Sequence, residues 1–372
     1  MALHRSSVRS DEYETPPMEQ RHSPPKKPNT VLHMVSLLFI DILVAGLILV
    51  CFAFFHHVLP IIKANYITST PVPTTKVTET AATPSITPSP TAEPMEEPEA
   101  TPEPTPDLRT EWQIKFADHF TDEVVVTDHS YTSPEVSINI DTVTYDGPRG
   151  QVIYYLADIY VARIENFATA LADGTYKQWS RCPVLDMVEA SDAIISINGD
   201  FCNYISYGFI VRNGEVYTSY HTTADICVLY RDGTMETYYN GKYTVDEILA
   251  KDPYHVWNFG PALLTAEGET PAYWNITSTV TQINPRSCVG YYEPGHYCFL
   301  VVDGRQDASK GMFLNQASEL FKELGVSVAY NLDGGGSAMM TFGDEVYSHP
   351  SNGGDRQLGD ILLIREYSEE EP

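Results

Sequence analysis

The chain has 372 residues, 50 acidic side chains against 23 lysines and arginines, and a formal net charge of −27. It shows no basic stripe, so nucleic acid is excluded as a partner and broad electrostatic capture of anionic polymers is disfavoured. Any anionic ligand must be held by a few local arginines and backbone amides.

Residues 35 to 55, VSLLFIDILVAGLILVCFAFF, are 21 nearly uninterrupted apolar positions, which as a helix span about 31 Å, the depth of a bilayer core. The run is longer than the apolar part of a secretory leader and no small-residue cleavage site follows it. Arg21, Lys26 and Lys27 precede it, whereas Lys63 and Lys76 are the cations that follow closely. That asymmetry predicts a signal anchor over 31–62, with the 1–30 tail cytoplasmic and the remainder outside the cell membrane. Asp41 lies near the cytoplasmic end of the span, where it can snorkel. Residues 68 to 107 hold ten of the chain's 26 prolines among Thr, Ser, Ala and Glu. Such a composition buries no core, so 63–110 reads as a disordered stalk.

The folded part is then 111–367, followed by an acidic tail, 368–372. Short β-like runs dominate it, among them EVSINIDTVTY, QVIYYLADIYVA, AIISIN, DICVLYRDGTMETY, YCFLVVDG, VSVAYNLDG and DILLIRE. RNGE and RDGT each stand between apolar runs and predict adjacent hairpins. TVDEILAK opens with a capping box, Thr244 and Glu247. A helix over 312–324 keeps Phe313, Ala317, Leu320 and Leu324 on one face and ends at Gly325. Further helices are predicted at 166–172 and 183–191. The fold class is α+β: one domain on a mixed, largely antiparallel sheet with helices packed on it.

Five cysteines follow the span: Cys182, Cys202, Cys227, Cys288 and Cys298. An odd count leaves at least one unpaired. A two-residue turn at Pro294-Gly295 would set Cys298 opposite Tyr291 and Cys288 opposite Val301, with the two thiols on opposite faces and no disulfide between them. No spacing suggests structural zinc.

Three strand-like runs end in an aspartate beside glycine: IISINGDF with Asp200, FLVVDGRQ with Asp303 and VAYNLDGGGS with Asp333. One such Asp-Gly is usually a turn. Three after apolar strands would gather carboxylates around one crevice, with Asn198 and Asn331 on the faces of their aspartates. Arg305, Arg286 in NPRSCVG, and Asn352 and Arg356 in NGGDRQ add donors suited to a phosphate. Three consecutive glycines, Gly334 to Gly336, imply that something approaches this backbone closely. No Lys-Ser/Thr follows them, so this is not an NTPase phosphate loop, and Ser337 lacks the glycine pattern of a nucleophile elbow.

INGDFCNY, FGPALL, NPRSCVG, LVVDGRQ, NLDGGGSAMM and SHPSNGGDRQLGDILLI occur in the order found in phosphodiester glycosidases. The chain resembles that family over about 131–364, with upstream similarity to bacterial members in YYLADIYV…FATALA. Cys202 stands where many members carry an aromatic residue, and Ser287 and Cys288 also depart from the family pattern. The resemblance implies hydrolysis of sugar-1-phosphodiesters at the anomeric bond, in envelope glycopolymers or exopolysaccharides. In this reading Arg305 and Arg286 clamp phosphate with amides from Gly334 to Gly336, and Ser337, Asn352 and Arg356 complete the binding set. Asp333 and Asp303 supply acid, base or nucleophile, while Asn198 and Asp200 orient the sugar and its attacking water. No cofactor is expected. A second reading uses the same acids to hold a divalent cation for P–O cleavage, and a third makes the domain a non-catalytic glycan-binding module.

Overall fold

The hairpin Val136–Gly147 and Gly150–Val161 shows how the alternation in the sequence becomes structure. Val136, Ile138 and Ile140 on one strand and Tyr155, Ala157, Ile159 and Val161 on the other face one core. On the second strand Val152, Tyr154 and Leu156 turn to the opposite face and meet a second core. The computed structural model describes residue 107, residues 109–204 and residues 208–367. The expected span at 31–62, the cytoplasmic tail, nearly all of the stalk and the acidic tail lie outside the described residues. Among the described residues no helix is long and apolar enough to cross a membrane. The folded part opens at a capping box, with Thr110 accepting from Gln113 N at the start of the helix Glu111–Lys115.

The first sheet has seven strands in the order Val125–Val126, Ser130–Thr132, Val136–Gly147, Gly150–Val161, His296–Val302, Arg286–Glu293 and Val328–Asn331. Its outer face is covered by the helix Leu314–Leu324, which buries Leu314, Ala317 and Phe321 and stops at the left-handed Gly325, as the pattern predicts. A five-stranded sheet runs Glu345–Val346, Met340–Phe342, Ile195–Asn198, Asp360–Ile364 and Phe167–Leu171. Another runs Met235–Tyr238, Ile226–Tyr230, Pro253–Trp257, Phe209–Arg212 and Glu215–Ser219. A two-stranded ribbon, Cys182–Pro183 with Gln357–Leu358, completes the set.

The expected single mixed sheet is therefore replaced by several sheets whose strand pairings are antiparallel. The helix expected at 166–172 is instead the strand Phe167–Leu171, preceded by a 3₁₀ turn. It is buried almost throughout beside Asp360–Ile364, and a short apolar run carries no period that separates strand from helix. RNGE and RDGT both form hairpins, but Pro253–Trp257 lies between them in the sheet. The helix Val184–Ala190 and the Thr244/Glu247 capping box stand where expected.

The turn after Tyr291 corrects the cysteine geometry. A bulge before Glu293 shifts the register by one, so Cys288 pairs with Leu300 and Gly290 with Cys298. One residue of slip moves a side chain to the other face. Cys288 and Cys298 therefore share the helix-covered face, and both are free thiols, as are Cys182, Cys202 and Cys227.

Strand order also places the chemistry. Arg286 opens the strand lying between those that lead into Asp303 and Asp333, paired to Val302 on one side, while Cys288 pairs with Asn331 on the other. These chain ends share one edge of the sheet.

Candidate active site

The glycine run leaves the strand Val328–Asn331 and turns over that edge. Asn331 fixes the turn, its Nδ2 donating to Gly260 O at 2.8 Å. Asp333 Oδ1 accepts from Gly334 N at 2.8 Å, and Asp333 N donates to Gly199 O at 3.3 Å. Burial raises the Asp333 carboxyl above the usual carboxylate range, against opposing contributions from Ser337, the Gly334 amide and Arg356. Ser337 is buried and serves as a donor to this carboxylate.

Asp333 stands where two cavities meet. One, a shallow recess of about 20 Å³ that opens to solvent, is bordered by Phe201, Asn203, Tyr204, Arg356 and Asp360. The other, of about 200 Å³, is bordered by Phe259, Asn284, Arg286, Arg305 and Gly335. Asp333 lines both.

The structure also answers what comes so close to the glycines. A Cβ on Gly335 (φ +61°) would lie 2.9 Å from Arg305 Nη2, and one on Gly336 would lie 2.5 Å from Asn352 Nδ2 and 2.6 Å from Arg356 Nη1. A Cβ on Gly334 would lie 2.8 Å from Pro285 O. Arginines thus close over bare backbone from two sides. The amides expected to hold phosphate are in part already used, since Gly334 N bonds Asp333 and Gly335 N bonds Pro285 O at 3.0 Å. The glycines serve here by admitting guanidinium groups.

Arg286 is 2% exposed and donates through Nε to Met312 O at 3.0 Å and through Nη2 to Gln282 O. Those acceptors are neutral, and burial pulls the group down to about 10. Arg305, exposed and with φ +59°, donates to Asn284 Oδ1 at 2.8 Å. Among the described residues, ion pairs engage other cations, and Arg286, Arg305 and Arg356 take part in none of them. In a chain of net charge −27, unpaired arginines around one glycine turn mark a place for an anion.

Two predicted acids stand elsewhere. Asp200 is fully buried, with Oδ1 accepting from Arg212 Nη2 at 2.7 Å and Oδ2 from Asn258 N at 2.7 Å. Both oxygens are bonded within the protein and Asp200 lines neither cavity, so it braces the site from behind. Asp303 is 4% exposed and lines neither cavity. It accepts from Tyr155 OH at 2.9 Å and from His349 N at 3.0 Å, and burial raises its carboxyl. Asp303 thus anchors the segment running from His349 to Asn352 and Arg356. Asn198 borders the smaller cavity and is a strut as well: its Nδ2 donates to Asp333 O at 2.7 Å, and its Oδ1 accepts from Ser287 Oγ at 2.5 Å and Met339 N at 3.2 Å.

Sequence reasoning missed Arg212 and Asp360. Arg212 Nη2 also reaches Asp360 Oδ2 at 3.1 Å, and burial together with Asp200 raises Asp360 to about 6. The glycine before Asp360 repeats the acid–glycine theme and was the available signal. Asp200, Cys202 and Asp360 lie within 4.8 Å of one another, the spacing of a cation site. The donor set does not fit one, because the Arg212 guanidinium already bonds both carboxylates.

Residues 191–365 match the family model described as NAGPA, phosphodiester glycosidase. The chain carries a phosphodiester glycosidase family domain. The match starts at 191, so the upstream part of the resemblance, from about 131, lies outside it. The SPbeta prophage-derived uncharacterized protein YomE of Bacillus subtilis (strain 168) is 28% identical over 191 residues, which are 50% of this chain and 30% of that protein. The chain therefore spans under a third of the length of this curated relative. The zebrafish N-acetylglucosamine-1-phosphodiester alpha-N-acetylglucosaminidase catalytic domain, auto-inhibited by its pro-peptide, aligns with a TM-score of 0.52 at 22% identity, over 66% of this chain and 88% of that one. A hypothetical protein from Synechocystis aligns with a TM-score of 0.50 at 12% identity, over 63% of each chain. At these identities the likeness shows the fold. Asn198, Asp333, the unpaired arginines and the Arg212 cluster all fall inside the phosphodiester glycosidase region.

Proposed function

We propose that the domain hydrolyses the anomeric bond of sugar-1-phosphodiesters in envelope or extracellular glycopolymers. The observation that carries this reading is one carboxylate, Asp333, at the junction of two cavities and flanked by arginines that lack ion-pair partners. Water adds to the anomeric carbon, the bond from that carbon to the bridging oxygen breaks, and the oxygen leaves with the phosphate. A phosphate monoester is a good leaving group, so stabilising its charge matters more than protonating it, and Arg286 and Arg305 are placed for that. Asp333 faces the oxocarbenium-like centre as base or nucleophile. Cleavage of the P–O bond by a bound metal is the weaker reading, because Arg212 already neutralises the clustered acids.

Asp333→Asn tests the assignment. Turnover should fall by about 10²-fold or more, the scale of positioned acid–base catalysis, with the melting temperature kept. Near-wild-type turnover would remove Asp333 from the chemistry. Sugar binding without any turnover by the wild-type chain would make the domain a glycan-binding module.

A further inference from the structure

The two cavities differ in charge. The smaller one is bordered by two carboxyls, Asp333 and Asp360, and one arginine, Arg356. The larger one is bordered by two arginines, Arg286 and Arg305, and by Asp333 alone among acids. An anionic group is favoured in the second and a neutral one in the first.

The smaller cavity has an aromatic wall. The rings of Phe201 and Tyr204 are stacked with centroids 4.0 Å apart and planes within 10°, and Trp179 meets Tyr204 edge-on at 5.1 Å. Phe201 is 41% exposed and Trp179 61%, although residues of this type are ordinarily buried. Phe201 also holds φ +70°, a conformation that is an outlier for a bulky side chain and that recurs at ligand clamps.

Beside this wall lies an unsatisfied acceptor. Asn203 is 3% exposed and borders the cavity. Its Nδ2 donates to Ser180 O at 2.5 Å, which fixes the orientation of the amide. The other atom, Oδ1, is buried and has no donor among the described residues. Buried acceptors are nearly always paired, so this one calls for a donor from a ligand.

We infer that the Phe201–Tyr204 wall and Asn203 form the subsite for a neutral sugar ring, with the phosphodiester held across Asp333 in the arginine-lined cavity. A pyranose supplies what the recess lacks: an apolar C–H face for the rings, and a hydroxyl or acetamido N–H for Asn203 Oδ1. This orientation sets the anomeric bond over Asp333. It rests on the function proposed above, but sugar binding at this wall is measurable without turnover.

The test uses saturation-transfer NMR and titration calorimetry on the full chain. The probes are methyl α-glycosides of N-acetylglucosamine, glucose and galactose, together with dimethyl phosphate and adenosine. At least one glycoside should bind the wild type. Phe201→Leu and Tyr204→Ala should each weaken it about tenfold, the scale of an aromatic contact, and leave dimethyl phosphate binding unchanged. Arg305→Gln should do the reverse. Phe201→Leu keeps an apolar side chain at a half-exposed position, so it reads binding even if Tyr204→Ala does not fold. Absence of glycoside binding, glycoside binding indifferent to both aromatic variants, or binding of adenosine alone would overturn the inference. If a glycoside binds as expected while no phosphodiester is hydrolysed, the subsite stands and the proposed reaction falls.

Discussion

Arg212 and Arg305 are the same side chain put to opposite uses. Arg212 is buried, with Asp200 and Asp360 both bonded to it. Removing it strands two buried carboxylates, so Arg212→Ala should cost about 3–5 kcal/mol, the loss seen when one partner of a buried pair is deleted. Arg305 is exposed and bonds one asparagine. Arg305→Ala should change stability by less than about 0.5 kcal/mol while lowering turnover by at least about tenfold. Urea denaturation beside steady-state kinetics separates the two. Equal loss of stability in both variants would mean that Arg305 also braces the fold. The buried ion cluster has a consequence for Asp333 too, because Asp200 adds to the burial that raises the Asp333 carboxyl.

At the scale of elements, features with local causes were readable in advance. The Thr244/Glu247 cap, the Gly325 stop, the RNGE and RDGT turns and the DGGGS turn are each written within a few residues. That Asp333, Arg286 and Arg305 come together around one cavity was legible because a strand end, a strand start and a glycine run mark one edge. The bonding of Asp200 and Asp303 was not, because their partners arrive from elsewhere: Arg212 from another sheet, Tyr155 from the long hairpin, and His349 from the loop after the glycine run. The hairpin after Tyr291 failed for another reason, a single bulged residue that no turn rule announces. Its register makes a chemical prediction. Burial raises all five thiols, but Cys202, Cys227, Cys288 and Cys298 are fully buried, whereas Cys182 is half-buried and within reach of solvent. In the full chain with Cys51→Ser, a thiol reagent should label Cys182 in the folded protein and the other four only after unfolding. Early labelling of Cys288 or Cys298 would refute the shared, helix-covered face.

For the whole molecule, we propose an anchor over 31–62 and a stalk that holds the catalytic domain outside the membrane, on the strength of the 21-residue apolar run and the cations before it. Protease added to intact cells should then release the folded domain, and full protection while a surface protein is digested would reverse the orientation. The reaction itself is tested most directly by where oxygen from water ends up. The full chain would be incubated with a sugar-1-phosphodiester in ¹⁸O-labelled water and the products weighed by mass spectrometry. Cleavage at the anomeric carbon predicts ¹⁸O in the released sugar and an unlabelled phosphate monoester. Label in the phosphate, with sugar-1-phosphate among the products, would contradict it.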